Sequence, residues 1–275
     1  MDDFYIINWD KISSFSFEKN NIYTAISIGG FDGIHIGHKA LLNHLEGKAE
    51  EYKLKKGIVT FSFPPSYCLG HSSLGPISSI RLKKEKIRKL GFDFMVLVDF
   101  SLDFAKMTGK HFIALLKKHL NLRYLLVGKD FRFGVGRSSS IDDMASYSKE
   151  FSFEFEVFDP VLVNGDEKKI SSSLIRQALY DGNLSLVASF LGEAFVIDVL
   201  GLSVEKLEQN SVFIRRKDVI QVLPKECNTI GVVSFLNNFS DKEANIIIND
   251  EYIRILFKDY DIQETYPYLD IVKIK

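Results

Sequence analysis

Two histidines, His35 and His38, stand three residues apart in "SIGGFDGIHIGHKALLNHL", a stretch that begins at Ser27. Imidazoles at this spacing, in a glycine-rich loop between an apolar strand and a helix, suit hydrogen-bond donation to oxygens whose charge grows in a transition state. Gly29, Gly30 and Gly33 let the backbone turn sharply and approach a ligand where a Cβ would clash. Gly37, between the histidines, permits close approach of a phosphate, and Phe31 and Asp32 complete the loop. His38 opens the helix, where unpaired amides and the dipole favour an anion. A metal pair or an incidental turn would also explain two histidines, but neither asks for the glycine setting.

A second anion site is legible in "KKISSSLIRQALYDG". Ser171, Ser172 and Ser173 surround an N-cap position, and Gly182 ends the helix. Capping needs one serine; three, with Arg176 about one turn in, fit a phosphate cradle, because Arg matches phosphate oxygens with paired donors. "GKDFRFGVGRS" supplies Asp130, Phe131, Phe133 and Arg137 among glycines, and "TFSFPPSY" adds Phe61 and Pro65. Asp130 suits a ring system or a ribose, and the aromatic content of both loops suits a flat co-substrate. A hairpin-like loop that buries its phenylalanines is the plain alternative for Phe131.

The elements that must carry these residues alternate strand and helix up to about Gly182. "YTAISIG", "KGIVTFSF", "FDFMVLVDF", "RYLLVG" and "FEFEVFDPVLV" read as strands. Helical spacing runs through "HKALLNHLEGKAEEYKL", "SIRLKKEKIRKLG", "TGKHFIALLKKHLN", "SSSIDDMASYSKEF" and "SSLIRQALYDG". Such alternation predicts a parallel, doubly wound sheet, whose ligands sit outside the carboxyl ends of the strands. All the candidate segments fall at such ends. From about Phe195 the texture changes to short strands: "FVIDVLGL", "SVFIRR", "VIQVL", "TIGVVSFL", "EANIIIND", "EYIRILF" and "LDIVKIK", with Asn249-Asp250 as a hairpin turn. The chain therefore divides into residues 1–190, an α/β Rossmann-like domain with a parallel sheet, and residues 191–275, a small antiparallel β-barrel-like domain.

Composition narrows the function. The 275 residues carry a formal net charge of -1, which argues against nucleic acid and anionic membranes as partners, since phosphate neutralisation needs a surplus of Lys and Arg. The basic run "RLKKEKIRKL" reads as the solvated face of a helix. Cys68 and Cys227 form no CxxC pair, so neither a disulfide framework nor a structural zinc site is expected, and no resident metal site is assigned. His44, His71, His111 and His119 show no ligand spacing, and Trp9 is isolated. The acidic start "MDDFYIINWDKISSF" lacks the form of a signal peptide, and no apolar run approaches a membrane span. The chain reads as a soluble cytoplasmic protein.

Together the motifs resemble the adenylyltransferase module of bacterial bifunctional riboflavin kinase/FAD synthetases. That family carries G-x-FDG-x-H-x-GH, TF-x-x-x-P, G-x-DF-x-FG-x-x-R and ISS-[ST]-x-IR in this order; here they stand at Gly29 to His38, Thr60 to Pro65, Gly128 to Arg137 and Ile170 to Arg176. The resemblance implies transfer of AMP from ATP to FMN, giving FAD and pyrophosphate. It implies catalytic roles for His35, His38 and Arg176, with Mg²⁺ bridging the phosphate oxygens. ATP and its phosphates would lie against Gly29, Gly30, Phe31, Asp32, Gly37, Ser171, Ser172 and Ser173. The flavin would lie against Phe61, Pro65, Asp130, Phe131, Phe133 and Arg137. The chain departs from the family at Gly30, often a larger or polar residue there, at Pro64 in place of a common histidine, and at Ser139 in place of a frequent glycine.

The C-terminal part departs further. The family's kinase module is a β-barrel with a G-R-x-x-GFPTAN signature, and no Pro-Thr-x-Asn follows Phe195. The expectation is a degenerate barrel without riboflavin kinase activity. The alternatives are a bifunctional enzyme with a diverged kinase site, a related nucleotidyltransferase acting on another phosphorylated substrate, and an idle flavin or nucleotide sensor.

Overall fold

A computed structural model of the chain describes residues 4–162, 169–208, 210–236, 241–258 and 269–274. Its contacts gather into two units, Met1–His71 with Lys83–Lys169, and Ser72–Leu82 with Ile170–Lys275. These units follow contacts, whereas the division at residue 190 follows the change in sequence texture.

The first unit is built on six parallel strands: β1 (Tyr5–Asn8), β2 (Thr24–Ile28), β3 (Lys55–Phe61), β4 (Phe94–Val98), β5 (Leu122–Gly128) and β6 (Glu154–Phe158). Every residue of β2 and of β4 is buried, as expected of strands covered on both faces by helices. The helices of this unit are α1 (Ile36–Glu51), α2 (Pro65–Cys68), α3 (Ile80–Lys89), α4 (Leu102–Ala105), α5 (Gly109–Leu120) and α6 (Ile141–Phe151), α3 starting within the second unit. Strand order is β1-β4-β3-β2-β5-β6. From β2 the chain builds outward through β3 and β4 on one side, then through β5 and β6 on the other. The order therefore reverses between β2 and β5, and the crevice at their carboxyl ends is where such sheets bind ligands. This confirms the expected Rossmann-like α/β class.

Close packing shows in Gly57 of β3, where a Cβ would overlap the Phe94 ring at 2.1 Å. Trp9 is not isolated: its ring lies 5.5 Å from that of Phe104 and 5.1 Å from that of Phe112, in the core. β1, unforeseen in the sequence, is a four-residue edge strand beside β4, and its mostly exposed residues leave little apolar signal.

The second unit holds α7 (Ser172–Tyr180), α8 (Leu184–Leu191) and seven antiparallel strands: β7 (Phe195–Asp198), β8 (Val204–Glu208), β9 (Ser211–Arg215), β10 (Cys227–Phe235), β11 (Lys242–Ile248), β12 (Tyr252–Phe257) and β13 (Leu269–Ile274). Their order, β7-β13-β10-β11-β12-β9-β8, makes a curled half-barrel with β7 and β8 at its edges. Burial alternates along β11 and β12, which matches a sheet packed on one face. Asn249 closes the expected hairpin, its Oδ1 accepting from the amides of Glu251 and Tyr252 at 2.9 Å each.

Two readings are corrected. "VIQVL" is not a strand: Val219, Gln221, Val222 and Leu223 are buried, with Ile220 exposed, without joining the sheet, and β8 pairs with β9 instead. The apolar rhythm of that run serves burial, and Gln221 in its middle bonds to backbone of other segments rather than to solvent. The strand seen in "FEFEVFDPVLV" ends at Phe158, and its last residue, Val163, lies outside the described residues.

Candidate active site

Residues 29–35 must carry the chain from buried β2 into α1. They do so through left-handed backbone at Phe31 (φ 43°), Gly33 (φ 80°) and Ile34 (φ 46°), while Gly29 and Gly30 keep ordinary φ. The turn thus needs only Gly33 for conformation. A left-handed branched residue costs on the order of 1–2 kcal/mol, and burial holds it: Phe31 is 1% and Ile34 0% exposed. The two side chains anchor the turn in the core.

That anchoring aims the polar residues. His35, not His38, is the N-cap of α1, and its Nδ1 accepts a hydrogen bond from the His38 amide at 3.3 Å. With Nδ1 as acceptor, neutral His35 carries its proton on Nε2 and keeps that nitrogen as a donor. The two imidazoles stack, with ring centroids 3.7 Å apart and planes at 17°. Phe31 lies against His38 at 5.1 Å. Asp32 is buried beside them, and the His38 Nδ1 is buried without a hydrogen-bond partner among the described residues.

Gly37 is small for a reason other than ligand approach. A Cβ there would come 3.2 Å from the His35 Nδ1, so the glycine makes room for the imidazole. At Gly29 a Cβ would meet the Phe31 ring at 3.2 Å, whereas Gly30 faces open space. Gly30 is therefore the glycine that leaves the loop open.

Burial pushes His35 down to about 4, with the Asp32 carboxylate opposing and Lys169 adding to the effect. His38 is held well below its ordinary value by burial first, then by His35, Lys83 and Lys169. Both imidazoles are neutral at physiological pH, so positive potential comes from lysines and loop amides rather than from imidazolium.

The other sites fall at neighbouring strand ends. Phe61 closes β3, half-buried, with its ring edge-on to Phe100 at 5.8 Å and Phe104 at 6.0 Å. Pro65 opens α2, a place where its missing N–H leaves no bond unmade. After β5, Asp130 is exposed and ion-paired with Lys169. Phe131 stacks on Phe133 at 5.1 Å, and Phe133 itself is buried against Phe112 and Tyr147. The hairpin-like alternative therefore describes Phe133, which bridges back to Ser139 in antiparallel pairing, and holds in part for Phe131, which is half-buried against the same core. Arg137 is exposed with φ 59°.

In the second unit, Ser171 is the N-cap of α7, accepting from the Leu174 amide at 3.3 Å. Ser172 and Ser173 form the first turn and Arg176 is buried. Ser171 is therefore committed to the cap, and Ser172, Ser173 and Arg176 carry the polar character of this helix start. Among the described residues no group of three or more His, Cys, Asp or Glu could hold a metal ion.

Sequence reading missed Lys83. It stood in a run taken as a solvated helix face, yet it is 2% exposed. Its position four before the fully buried Ile87, on one face of α3, is the signal that would have found it.

With this geometry in place, comparison with known proteins adds four matches. The family model described as FAD synthetase matches residues 17–174, more than half of the chain. The bifunctional riboflavin kinase/FMN adenylyltransferase of Escherichia coli strain K12 is 38% identical over 176 residues, 62% of this chain and 55% of that one. The protein of the same description from Haemophilus influenzae is 34% identical, over 63% of this chain and 56% of that one. The chain thus spans about half the length of the curated relatives it matches. A crystal structure described as a macrolide-efflux protein from Streptococcus pneumoniae covers 100% of this chain and 90% of its own, with a TM-score of 0.80 at 23% identity. That likeness concerns the fold alone, and among the described residues no helix is long and apolar enough to cross a membrane.

Proposed function

Because the chain belongs to the FAD synthetase family, we propose that it is an FMN adenylyltransferase, transferring AMP from ATP to FMN with release of pyrophosphate. The observation that carries the reading is the stacked, neutral His35–His38 pair at the start of α1, at the carboxyl end of β2 beside the strand-order reversal. A phosphate oxygen of FMN attacks the α-phosphorus of ATP, the new P–O–P link forms, and the bond to the β-phosphate oxygen breaks with its electron pair leaving on pyrophosphate. The nucleophile is already an anion, so the protein needs no base. Its tasks are alignment and relief of spreading charge.

In this reading the His35 Nε2–H and the His38 ring donate to phosphate oxygens, and the amides of Gly29 to Asp32 and Gly37 line the triphosphate. Ser172, Ser173 and Arg176 give the second set of donors. Mg²⁺ enters with ATP as part of the substrate. Asp130, Phe131 and Arg137 at the end of β5, with Phe61 and Pro65 at the end of β3, place the flavin, and Phe133 supports Phe131 from beneath. Residues 1–190 are the transferase domain, working in the cytoplasm on small molecules.

The same proposal makes residues 191–275 a kinase-like β domain without kinase chemistry, because no Pro-Thr-x-Asn follows Phe195. FMN must then come from a separate phosphorylation of riboflavin. The test is to incubate the purified chain with Mg²⁺-ATP and either riboflavin or FMN and to separate the flavins by chromatography. FAD from FMN, with riboflavin untouched, is expected. FMN or FAD from riboflavin overturns the loss of the kinase, and no FAD from FMN overturns the transferase.

A further inference from the structure

Lys83 lies on α3 among basic residues of which Arg88 and Lys89 reach solvent, yet its own side chain is buried. Taking an ammonium out of water is expensive unless the gain is specific. Its Nζ donates to the carbonyl of Gly30 at 3.0 Å and to that of Phe61 at 2.8 Å. The Gly30 carbonyl also accepts from the Thr60 Oγ1 at 2.9 Å, and Thr60 is fully buried. Gly30 is the last residue before the left-handed turn that leads to the histidines, and Phe61 is the last residue of β3. One ammonium therefore joins the exits of two adjacent parallel strands, β2 and β3. A methionine has the same reach and would fill the volume without the desolvation cost, so packing alone does not account for a lysine.

We propose that Lys83 is a positioning residue of the nucleotidyl-transfer site: its ammonium clamps the carbonyls of Gly30 and Phe61 and holds the Phe31–His38 turn in register with the end of β3. This rests on the transferase reading above. The clamp acts on alignment of the phosphates rather than on their ground-state binding. Its charge also bears on the His38 ring, which gives the role a spectroscopic trace.

The experiment compares the full chain with Lys83→Met and Thr60→Val in steady-state FAD formation from FMN and Mg²⁺-ATP. Lys83→Met is expected to lower kcat by about tenfold to a hundredfold, with KM for either substrate moving less than about threefold. In the same variant the His38 ring, followed by NMR, titrates at higher pH than in the wild type, because a neighbouring cation is gone. A kcat within about twofold of wild type, whatever the melting temperature, or a rise in KM at unchanged kcat, overturns the proposal. Should Lys83→Met not fold cooperatively, Thr60→Val decides: it removes the other donor to the Gly30 carbonyl and is expected to lower kcat about threefold at constant KM, and an unchanged kcat overturns the clamp. Failure of the wild-type chain to form FAD is a different result, and sinks the underlying activity rather than the clamp.

Discussion

His35 does two things that a substitution can separate. Its Nδ1 caps α1, and in the proposed transferase its Nε2–H donates to a phosphate oxygen. Asparagine is among the best N-caps, so His35→Asn is expected to keep the melting temperature while lowering FAD formation by about 10²–10³-fold, the effect of losing one transition-state donor. A collapse of both together would make the residue structural only. The same imidazole predicts how stability follows pH. In the unfolded chain it takes up a proton near 6.5, and in the folded protein only near 4. Between these values the unfolded state binds more protons, so the stabilisation is complete above pH 6.5 and is lost as pH falls toward 4. Urea unfolding at pH 7.5 and 4.5 should show a drop that is about 2.5 kcal/mol smaller in His35→Asn than in the wild type. The histidine pair was legible because its types and spacing are rare in a loop. Lys83 was not, because a lysine in a basic helix gives no sign of burial until its face is known.

At the scale of elements, α1 offers two glycines with opposite forecasts. A Cβ on Gly47 meets nothing within 4 Å, so Gly47→Ala should stabilise the fold by up to about 1 kcal/mol, as helix propensity alone dictates, and leave activity unchanged. A Cβ on Gly37 would press on the His35 ring at 3.2 Å. Gly37→Ala is therefore expected to hold or raise the melting temperature while slowing FAD formation about tenfold, by moving a donor a few tenths of an ångström. Parallel effects of the two substitutions on activity would remove the argument from ring crowding. The strands were legible where burial on both faces writes unbroken apolar runs, as in β2 and β4. β1 escaped because an edge strand of four residues is mostly exposed. Residues 219–223 misled for the reverse reason: burial outside a sheet leaves the same apolar rhythm as burial within one. The strand-order reversal that makes β2 and β5 flank one crevice depends on long-range pairing, which local pattern does not encode.

At the scale of the whole molecule, the sequence change near residue 190 is not where contacts divide the chain. Ser72–Leu82, from the first half of the sequence, belongs to the unit that contains the antiparallel sheet. Gln221 helps to hold it there. Its Nε2 donates to the carbonyls of Ile77 and Val196 at 2.8 Å each, and its Oε1 accepts from the Asp198 amide at 2.6 Å. Arg81 adds ion pairs to Asp198 at 2.6 Å and Asp270 at 2.8 Å, and the Ser79 hydroxyl donates to Asp198. The Val222 amide donates to the Pro76 carbonyl at 2.9 Å. Gln221→Leu keeps the volume and strips a partner from the buried Ile77 carbonyl and from the half-buried Val196 carbonyl and Asp198 amide, at roughly 1–3 kcal/mol each. It should destabilise this unit by at least about 3 kcal/mol in urea unfolding and speed hydrogen exchange at the Val222 amide by about a hundredfold. An unchanged exchange rate would mean that Arg81 and Ser79 hold the segment without the glutamine. The expected loss has a functional reading as well. α3 begins in this unit at Ile80 and continues into the other through Lys83, the residue of the proposed clamp. Because one helix runs through both, Gln221→Leu should lower kcat for FAD formation in the same direction as Lys83→Met, though by less.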